Sequence, residues 1–499
     1  ALTAPDTQSR FSLFFGLLYG FVALPAIVLQ YLRFRYRITP REIIIQRGVL
    51  TRKNRSIPIE RVQNIQIEQP LLARLTGTAK VQIETAGSTA TEGVLEYVSL
   101  EEARAIRSLV RSFKRQRTQQ DHAEAPAAAA PPARPPDEEA TPLFAMSLRR
   151  VLLSGAFRFS LLYIALIFSG LELLNPDPDA IARWLTRGEL SEVLETATQS
   201  PWLAAIASVL VAGLFAWLTG IAVNLNRYYN FRLWHEDDKL RFRRGLLTLA
   251  EGTIPLKKVQ ALILRTNPLM RLFDWYSLEV QTVGLNVEEQ GHRVVVPFAK
   301  KDEVLPIAQR IIPLEPPDAF TSVSPLTIRR HIVRYTLVLA ALTTAAIAAT
   351  RWLGGDFLAW DDAWWTLAAL PAIFGYAVLH YRHHGYKIGD DGFYVRRGVV
   401  RQYVWFIPIE KYHVFYTTAS VFQRRLGLCS LFVDTAGAAA FAYPEAIDVP
   451  EAAGRTAQST LYDRFRARYA ARIRAAAASP DRSAAPHRPS IPEEELRKL

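Results

Sequence analysis

The sequence predicts a multi-domain α+β membrane protein. Three copies of one small β domain, each closed by a C-terminal helix, alternate with transmembrane helices, five of which are visible. Two observations predict this. The stretch RGVLTRKNRSIPIERVQ, Arg47 to Gln63, returns as RGLLTLAEGTIPLKKVQ, Arg244 to Gln260, and as RGVVRQYVWFIPIEKYH, Arg397 to His413. Between the copies lie apolar runs long enough to cross a bilayer. The repeat holds its register well past the quoted motif. Sixteen residues after Pro58, Pro255 and Pro408 stand Arg74, Arg271 and Arg424, and after twenty-seven stand Thr85, Thr282 and Thr435. Gly87, Gly284 and Gly437 follow at twenty-nine. A register kept this long without an insertion marks an internal repeat.

The first apolar run, Phe11 to Leu32, has 22 residues and no charge, enough for a hydrocarbon core of roughly 30 Å. Trp202 to Leu225 is a second uncharged run. Val151 to Leu174, Ile332 to Leu353 and Ala363 to Tyr381 are three more. Their charges (Arg158, Glu172, Arg334, Arg351) lie toward the ends, where long side chains reach the interface. The first run is longer than a signal-peptide core and is followed by RFRYR instead of a small-residue cleavage site. The chain begins with Ala, so a sixth span is expected if its true start lies upstream. The expected order is a span at 11–32, a β domain at 36–114 and a disordered linker at 115–142. A hairpin of spans at 151–226, a β domain at 228–312 and a second hairpin at 331–381 come next. The third β domain is at 386–474, and a disordered tail at 479–499 ends the chain.

Each hairpin returns the chain to the side it left, so all three β domains face one side. Arg33, Arg35, Arg37, Arg149, Arg150, Arg227, Arg329, Arg330 and Arg382 flank them. The loops at the far ends of the hairpins are acidic, with Asp177 and Asp179 in one and Asp361 and Asp362 in the other. Lys and Arg collect on the cytoplasmic side of short loops, which places the β domains in the cytoplasm. The net charge of +13 then reads as bases facing an anionic leaflet, each contributing about 1 kcal/mol near the surface. No basic face interleaved with aromatic residues tracks a strand, which argues against nucleic acid. The one cysteine, Cys429, rules out an internal disulfide and a CxxC metal knuckle, and is expected to be a small core residue.

Within each repeat, VQIET, LEVQT and LFVDT place Val81 with Ile83, Leu278 with Val280, and Leu431 with Val433 on one face of a strand. A helix follows. Its inner stripe is Leu100, Ile106, Leu109 and Phe113 in the first copy, and Leu461, Phe465, Tyr469 and Ile473 in the third. Gly48, Gly245 and Gly398 are expected where a side chain would be forbidden, at a hairpin or bulge. Pro58, Pro255 and Pro408 are expected to fix strand edges. Their flanking Ile57 and Ile59, Ile254 and Leu256, and Ile407 and Ile409 are expected to pack. Arg74, Arg271 and Arg424 follow apolar residues in a short helical turn. Either they cap carbonyls or pair with a carboxylate within the repeat, or they meet lipid phosphate. The internal role is the expectation, because repeated spacing marks a fold before a ligand. Arg47, Arg244 and Arg397 leave the same choice open.

The RG(V/L)(L/V) start, the IP(I/L)(E/K)(R/K) element and the alternation with paired apolar runs resemble the bacterial pleckstrin-homology (PH) domain membrane proteins of the YdbS/YdbT type. The resemblance covers nearly all of the chain except linker and tail. It implies three PH-like β-barrel or sandwich domains with C-terminal helices, held on the cytoplasmic face of a bacterial inner membrane, with no enzymatic activity and no cofactor. It also implies a role in envelope stress or antimicrobial defence and a shorter, single-domain relative as neighbour. Such proteins commonly carry two spans before the first PH domain, where only one is visible here. Tyr412 and His413 also depart from the Val-Gln of the other copies.

No phosphate-binding loop, nucleophile elbow or zinc-protease motif occurs. His380, His383 and His384 have the spacing of metal ligands on a helix, but beside arginines at the end of a run they read as interfacial residues. No acid lies in mid-membrane, which weighs against proton-coupled transport. The expected function is a non-enzymatic membrane scaffold that contacts anionic lipid headgroups and assembles with itself or with a shorter PH-domain membrane protein. The alternative is a lipid or small-molecule transporter whose spans form the pathway.

Overall fold

A computed structural model describes residues 33–39, 41–47, 53–85, 93–122, 141–157, 201–283, 292–352, 364–436 and 444–478, with positions 25 and 29. Apart from positions 25 and 29, the expected span at 11–32 lies outside the described residues, as do the second span beyond residue 157, both acidic loops and the tail. So do Gly48, Gly87, Gly284 and Gly437. The chain divides into two compact units. One comprises Ala1–Val259 with Val283–Ala299, the other Gln260–Thr282 with Lys300–Leu499.

In the first unit, β1 (Arg35–Ile38), β2 (Glu42–Arg47) and β3 (Lys53–Pro58) form an antiparallel sheet. A 3₁₀ turn at Ile59–Arg61 leads to β4 (Val62–Gln69), α1 (Leu71–Leu75), β5 (Thr78–Thr85), β6 (Gly93–Ser99) and α2 (Leu100–His122). Period-2 alternation turns Ile43, Ile45 and Ile57 of one sheet toward Ile65, Ile67, Val81, Ile83 and Leu95 of the other. Ala103, Ile106 and Val110 of α2 close the same core. The Ser99 hydroxyl accepts the Glu102 N–H at 3.1 Å and starts that helix. Helix α2 runs to His122, so the first residues of the expected linker are helical. Tyr36 ties β1 to α2 by donating to Glu102 at 2.8 Å. Burial, and then this bond, push its phenol up to about 12.

Next come β7 (Phe144–Ala145), α3 (Leu148–Ala156), α4 (Pro201–Tyr228), β8 (Arg232–Glu236), β9 (Lys239–Arg244) and β10 (Leu249–Pro255). Helices α3 and α4 pack together, and Asn224 donates to the Val151 carbonyl at 3.0 Å. The strands of two repeats share one sheet, in the order β6-β5-β4-β10-β9-β8-β7.

The chain continues with β11 (Val259–Thr266), α5 (Pro268–Leu272), β12 (Trp275–Thr282), β13 (His292–Lys300), α6 (Lys301–Ile311), β14 (Thr321–Ser322), α7 (Leu326–Trp352), α8 (Trp365–Ala368) and α9 (Leu370–His383). The third repeat is β15 (Gly385–Ile388), β16 (Gly392–Arg397), β17 (Gln402–Pro408), β18 (Val414–Thr418), α10 (Val421–Arg425), β19 (Leu428–Asp434), β20 (Glu445–Pro450) and α11 (Glu451–Ala478). In the second unit one sheet runs β12-β11-β17-β16-β15-β14, and a smaller one is β18-β19-β20. Phe393, Val395, Trp405 and Ile407 meet Leu431, Val433 and Val449 in the core, with Cys429 among them and Leu461 of α11 against it. Phe465 packs beside that core, whereas Tyr469 and Ile473 are at least half exposed. Helix α11 outruns the sheet it covers, so only the first half of the expected stripe is buried.

Among the described residues, two helices are long and apolar enough to cross a membrane, Val209–Tyr228 and Leu326–Trp352. They match the second uncharged run and the Ile332 run. The run from Ala363 to Tyr381 is divided between α8 and α9, and Pro371 at the start of α9 removes a donor at that break.

Pro255 and Pro408 correct an expectation. They close β10 and β17, which lie inside their sheets; of the three proline strands only β3 is at an edge. The inter-repeat ladders end before the prolines are reached, at Glu251 in β10 and Phe406 in β17, so no donor is missed. Each proline instead starts a 3₁₀ turn. Ile57, Ile59, Ile254, Ile407 and Ile409 are buried and Leu256 half-buried.

His384, just after α9, is buried, and its Nε2 accepts the Ile447 N–H at 3.2 Å. Burial first, then His380 and Arg397 nearby, push its pKa down from 6.5 to about 3. The folded protein therefore keeps this ring neutral while the unfolded chain protonates it. Its stabilising contribution is complete above pH 6.5 and is lost as pH falls toward 3. Melting in detergent from pH 7.5 to 4 is expected to show a steeper fall for the parent than for His384→Gln. Parallel curves would remove His384 as the cause.

Candidate functional site: the seams between repeats

Strand four of each repeat joins strand three of the next, and both seams use one register. Gln69 faces Leu249 in the first, and Thr266 faces Gln402 in the second. Gln69 and Thr266 stand eleven residues after their own prolines, Leu249 and Gln402 six before theirs. Backbone ladders supply the pairing, and side chains fix it. Arg107 of α2 lies 3.2 Å from Glu251 of β10, both largely covered. Arg265 stands over the Tyr403 ring, its register partner across the second seam, at 5.7 Å. Gln281 donates to Thr435, one of the repeated threonines, at 3.0 Å.

The repeated arginines belong to these seams. Arg74 donates to the Leu246 carbonyl at 2.6 Å, and Arg271 to Gln402 Oε1 at 3.0 Å. Their partners lie in the following repeat, not within their own as the spacing had suggested. The short helices α1 and α5 hold each arginine beside the strand that crosses the seam. Arg424 occupies the same position on α10, is exposed and makes no side-chain hydrogen bond or ion pair among the described residues. Arg397 pairs with Glu445 of its own repeat. Arg244 lies over the rings of Tyr228 and Phe242 at 5.7 and 5.6 Å. The side chain of Arg47 lies outside the described residues.

Sequence reasoning saw the apolar residues beside these arginines but missed that they are exposed. Leu72 and Leu75 on α1, Leu269 and Leu272 on α5, and Val421 and Phe422 on α10 are exposed, Leu75 to 78%. A five-residue helix has no face to bury them, and that shortness was the available signal. The first of these tips lies at the end of an apolar helix. Leu246, which Arg74 holds, sends its N–H to the Asn226 carbonyl in the last turn of α4 at 2.9 Å, and Leu247 sends its own to Asn226 Oδ1 at 2.9 Å.

His380 lies between His331 and His384, tilted against the first and edge-on to the second, with centroids at 4.3 and 5.4 Å. His383 instead bonds the Leu379 carbonyl of its own helix. Among the described residues, no group of three His, Cys, Asp or Glu side chains could hold a metal ion.

The family model described as Bacterial PH domain matches residues 3–114, 190–314 and 333–462. The second and third matched segments take in the apolar helix ahead of their strands. The chain is 27% identical over 299 residues to the UPF0699 transmembrane protein YdbT of Bacillus subtilis (strain 168). That alignment covers 57% of this chain and 59% of the relative. No solved structure matches the chain. More than half of the sequence lies in three matched segments, each carrying one copy of the strand-and-helix repeat, and the chain belongs to the bacterial PH domain family.

Proposed function

We propose that this membrane-associated PH-domain protein is a non-enzymatic integral scaffold. In this reading five spans carry three PH-like domains on the cytoplasmic face of a bacterial inner membrane, for protein assembly and anionic-lipid contact. The observation that carries the reading is the seam, where repeats share sheets and an arginine of one repeat holds the next. Repeats joined in this way carry several similar surfaces on one chain. Such a chain gains affinity by multivalency and needs no new chemistry. Lipid contact is supported by the exposed apolar tips beside arginines, of which the first sits at the end of α4. A Leu or Phe set into the headgroup layer with a base next to it suits an anionic surface.

The test is reconstitution of the full chain into bilayers with and without anionic lipid. Hydrogen exchange at Leu71–Leu75, Pro268–Leu272 and Val421–Arg425 is expected to slow when anionic lipid is present. In sealed vesicles, labelled lipid is expected to cross no faster than in vesicles without protein. Lipid-independent exchange at all three tips, or translocation well above that background, would overturn the scaffold reading in favour of a transporter.

A further inference from the structure

Two strands equivalent to those that form the seams have no seam of their own. Strand β3 corresponds to β10 and β17, which each accept a preceding repeat, yet among the described residues it pairs only with β2. Strand β18 corresponds to β4 and β11, which each accept a following repeat, yet among the described residues it pairs only with β19. Exposure follows the pairing. Eight residues after their prolines, Gln66 and Ile263 are 3% and 0% exposed, while Tyr416 at the same position is 39% exposed. Three before the proline, Trp405 is 5% exposed, while Arg55 is open. Arg424, unlike Arg74 and Arg271, holds no strand of another repeat among the described residues.

We propose that β18 of one copy of this chain pairs antiparallel with β3 of a second copy, forming a third seam in the register of the two internal ones. The inference rests on the scaffold reading and names its partner as the chain itself. The shared register places Val414 opposite Ile57, Phe415 opposite Ser56, Tyr416 opposite Arg55, Thr417 opposite Asn54 and Thr418 opposite Lys53. The side chains answer one another. The second seam sets an arginine over a tyrosine at a cross-strand pair, Arg265 and Tyr403. The third would set Arg55 against Tyr416, whose ring already stacks on Phe432 with centroids 5.2 Å apart. Arg55 also discourages adventitious strand pairing along β3, so an edge that meets the arginine with an aromatic face is favoured over a generic one. The surfaces that meet differ, which makes the contact head-to-tail. Copies then add in series, as a ring if the rotation closes and as a row if it does not.

The test is oxidative cross-linking of the full chain in its own membranes, with Cys429→Ala removing the native thiol. Thr417→Cys combined with Asn54→Cys is expected to give a ladder of dimers, trimers and larger species. Thr417→Cys and Asn54→Cys on separate, co-expressed copies should give dimers alone. Thr417→Cys with Arg55→Cys, one residue out of register and on the opposite face, should cross-link at least tenfold less. Arg424→Glu, in the chain without added cysteines, is expected to weaken self-association about tenfold in native mass spectrometry. No ladder, equal yields in and out of register, closure within one copy, or an adduct whose added mass is a different protein would each overturn the proposal. Discrete oligomers that survive without the in-register cross-link would overturn this seam while leaving the scaffold intact. Lipid translocation by a protein that is a monomer in native mass spectrometry would remove both.

Discussion

Replacing Arg330 with methionine is expected to destabilise the third repeat by about 3–5 kcal/mol, the usual cost of leaving a buried charge without its partner. Asp448 of β20 is 0% exposed, and its Oδ2 lies 2.9 Å from Arg330 Nε on α7. Its Oδ1 accepts from Gln423 Nε2 at 2.9 Å, and the same amide donates to Ser430 at 3.0 Å. Without Arg330 the carboxylate keeps one neutral donor and a negative charge in a dry site. Asp448 also sits at φ 61°, a conformation that asparagine tolerates well. The double variant Arg330→Met with Asp448→Asn should therefore recover most of the loss. Denaturant unfolding in detergent, followed by tryptophan fluorescence, reads both. A single variant as stable as the parent, or a double variant no better than the single, would show that the pair does not hold α7 to the repeat.

The second large effect belongs to the Arg-Gly pair. Gly398 has φ 104°, and a Cβ there would stand 1.9 Å from the Arg401 carbonyl oxygen; Gly245 has φ 118° and meets Thr248 at 1.8 Å. Gly398→Ala is expected to cost about 3 kcal/mol or more. Roughly 1–3 kcal/mol comes from the backbone conformation, and the rest from displacing a carbonyl in the turn that leads into β17. Gly427→Ala is the control, because Gly427 also has positive φ, 63°, but open space around it. Its cost is expected near 1 kcal/mol. Equal losses at the two positions would mean that the clash is relieved at no cost.

The repeat, the buried faces of Val81, Leu278 and Leu431, and the turn glycines were legible because local geometry dictates them. A pleat alternates at period two, and a backbone at φ above 100° admits glycine. The seams were not legible. Arg74 and Leu246 are 172 residues apart, and Arg271 and Gln402 are 131 apart. Nothing within one copy of the motif says that its partner is in the next. The prolines misled for the same reason. Within one repeat each appears to close an edge, and only the shared sheets turn β10 and β17 into interior strands. The helix ends were read too short at α2 and too deeply buried at α11, because apolar spacing does not tell where a helix leaves the sheet it covers.

The division of the chain into compact units cuts through the second repeat, between strands that the motif keeps together. The stretch that was copied to build this protein is therefore out of phase with the stretch that holds together physically. Cut out at its sequence boundaries, the middle repeat would carry two raw strand edges and lose a neighbour on each side. A further copy of the motif would add one half-sheet to the copy before it and another to the copy after it. The gene can be lengthened one motif at a time, while stability is shared between successive motifs.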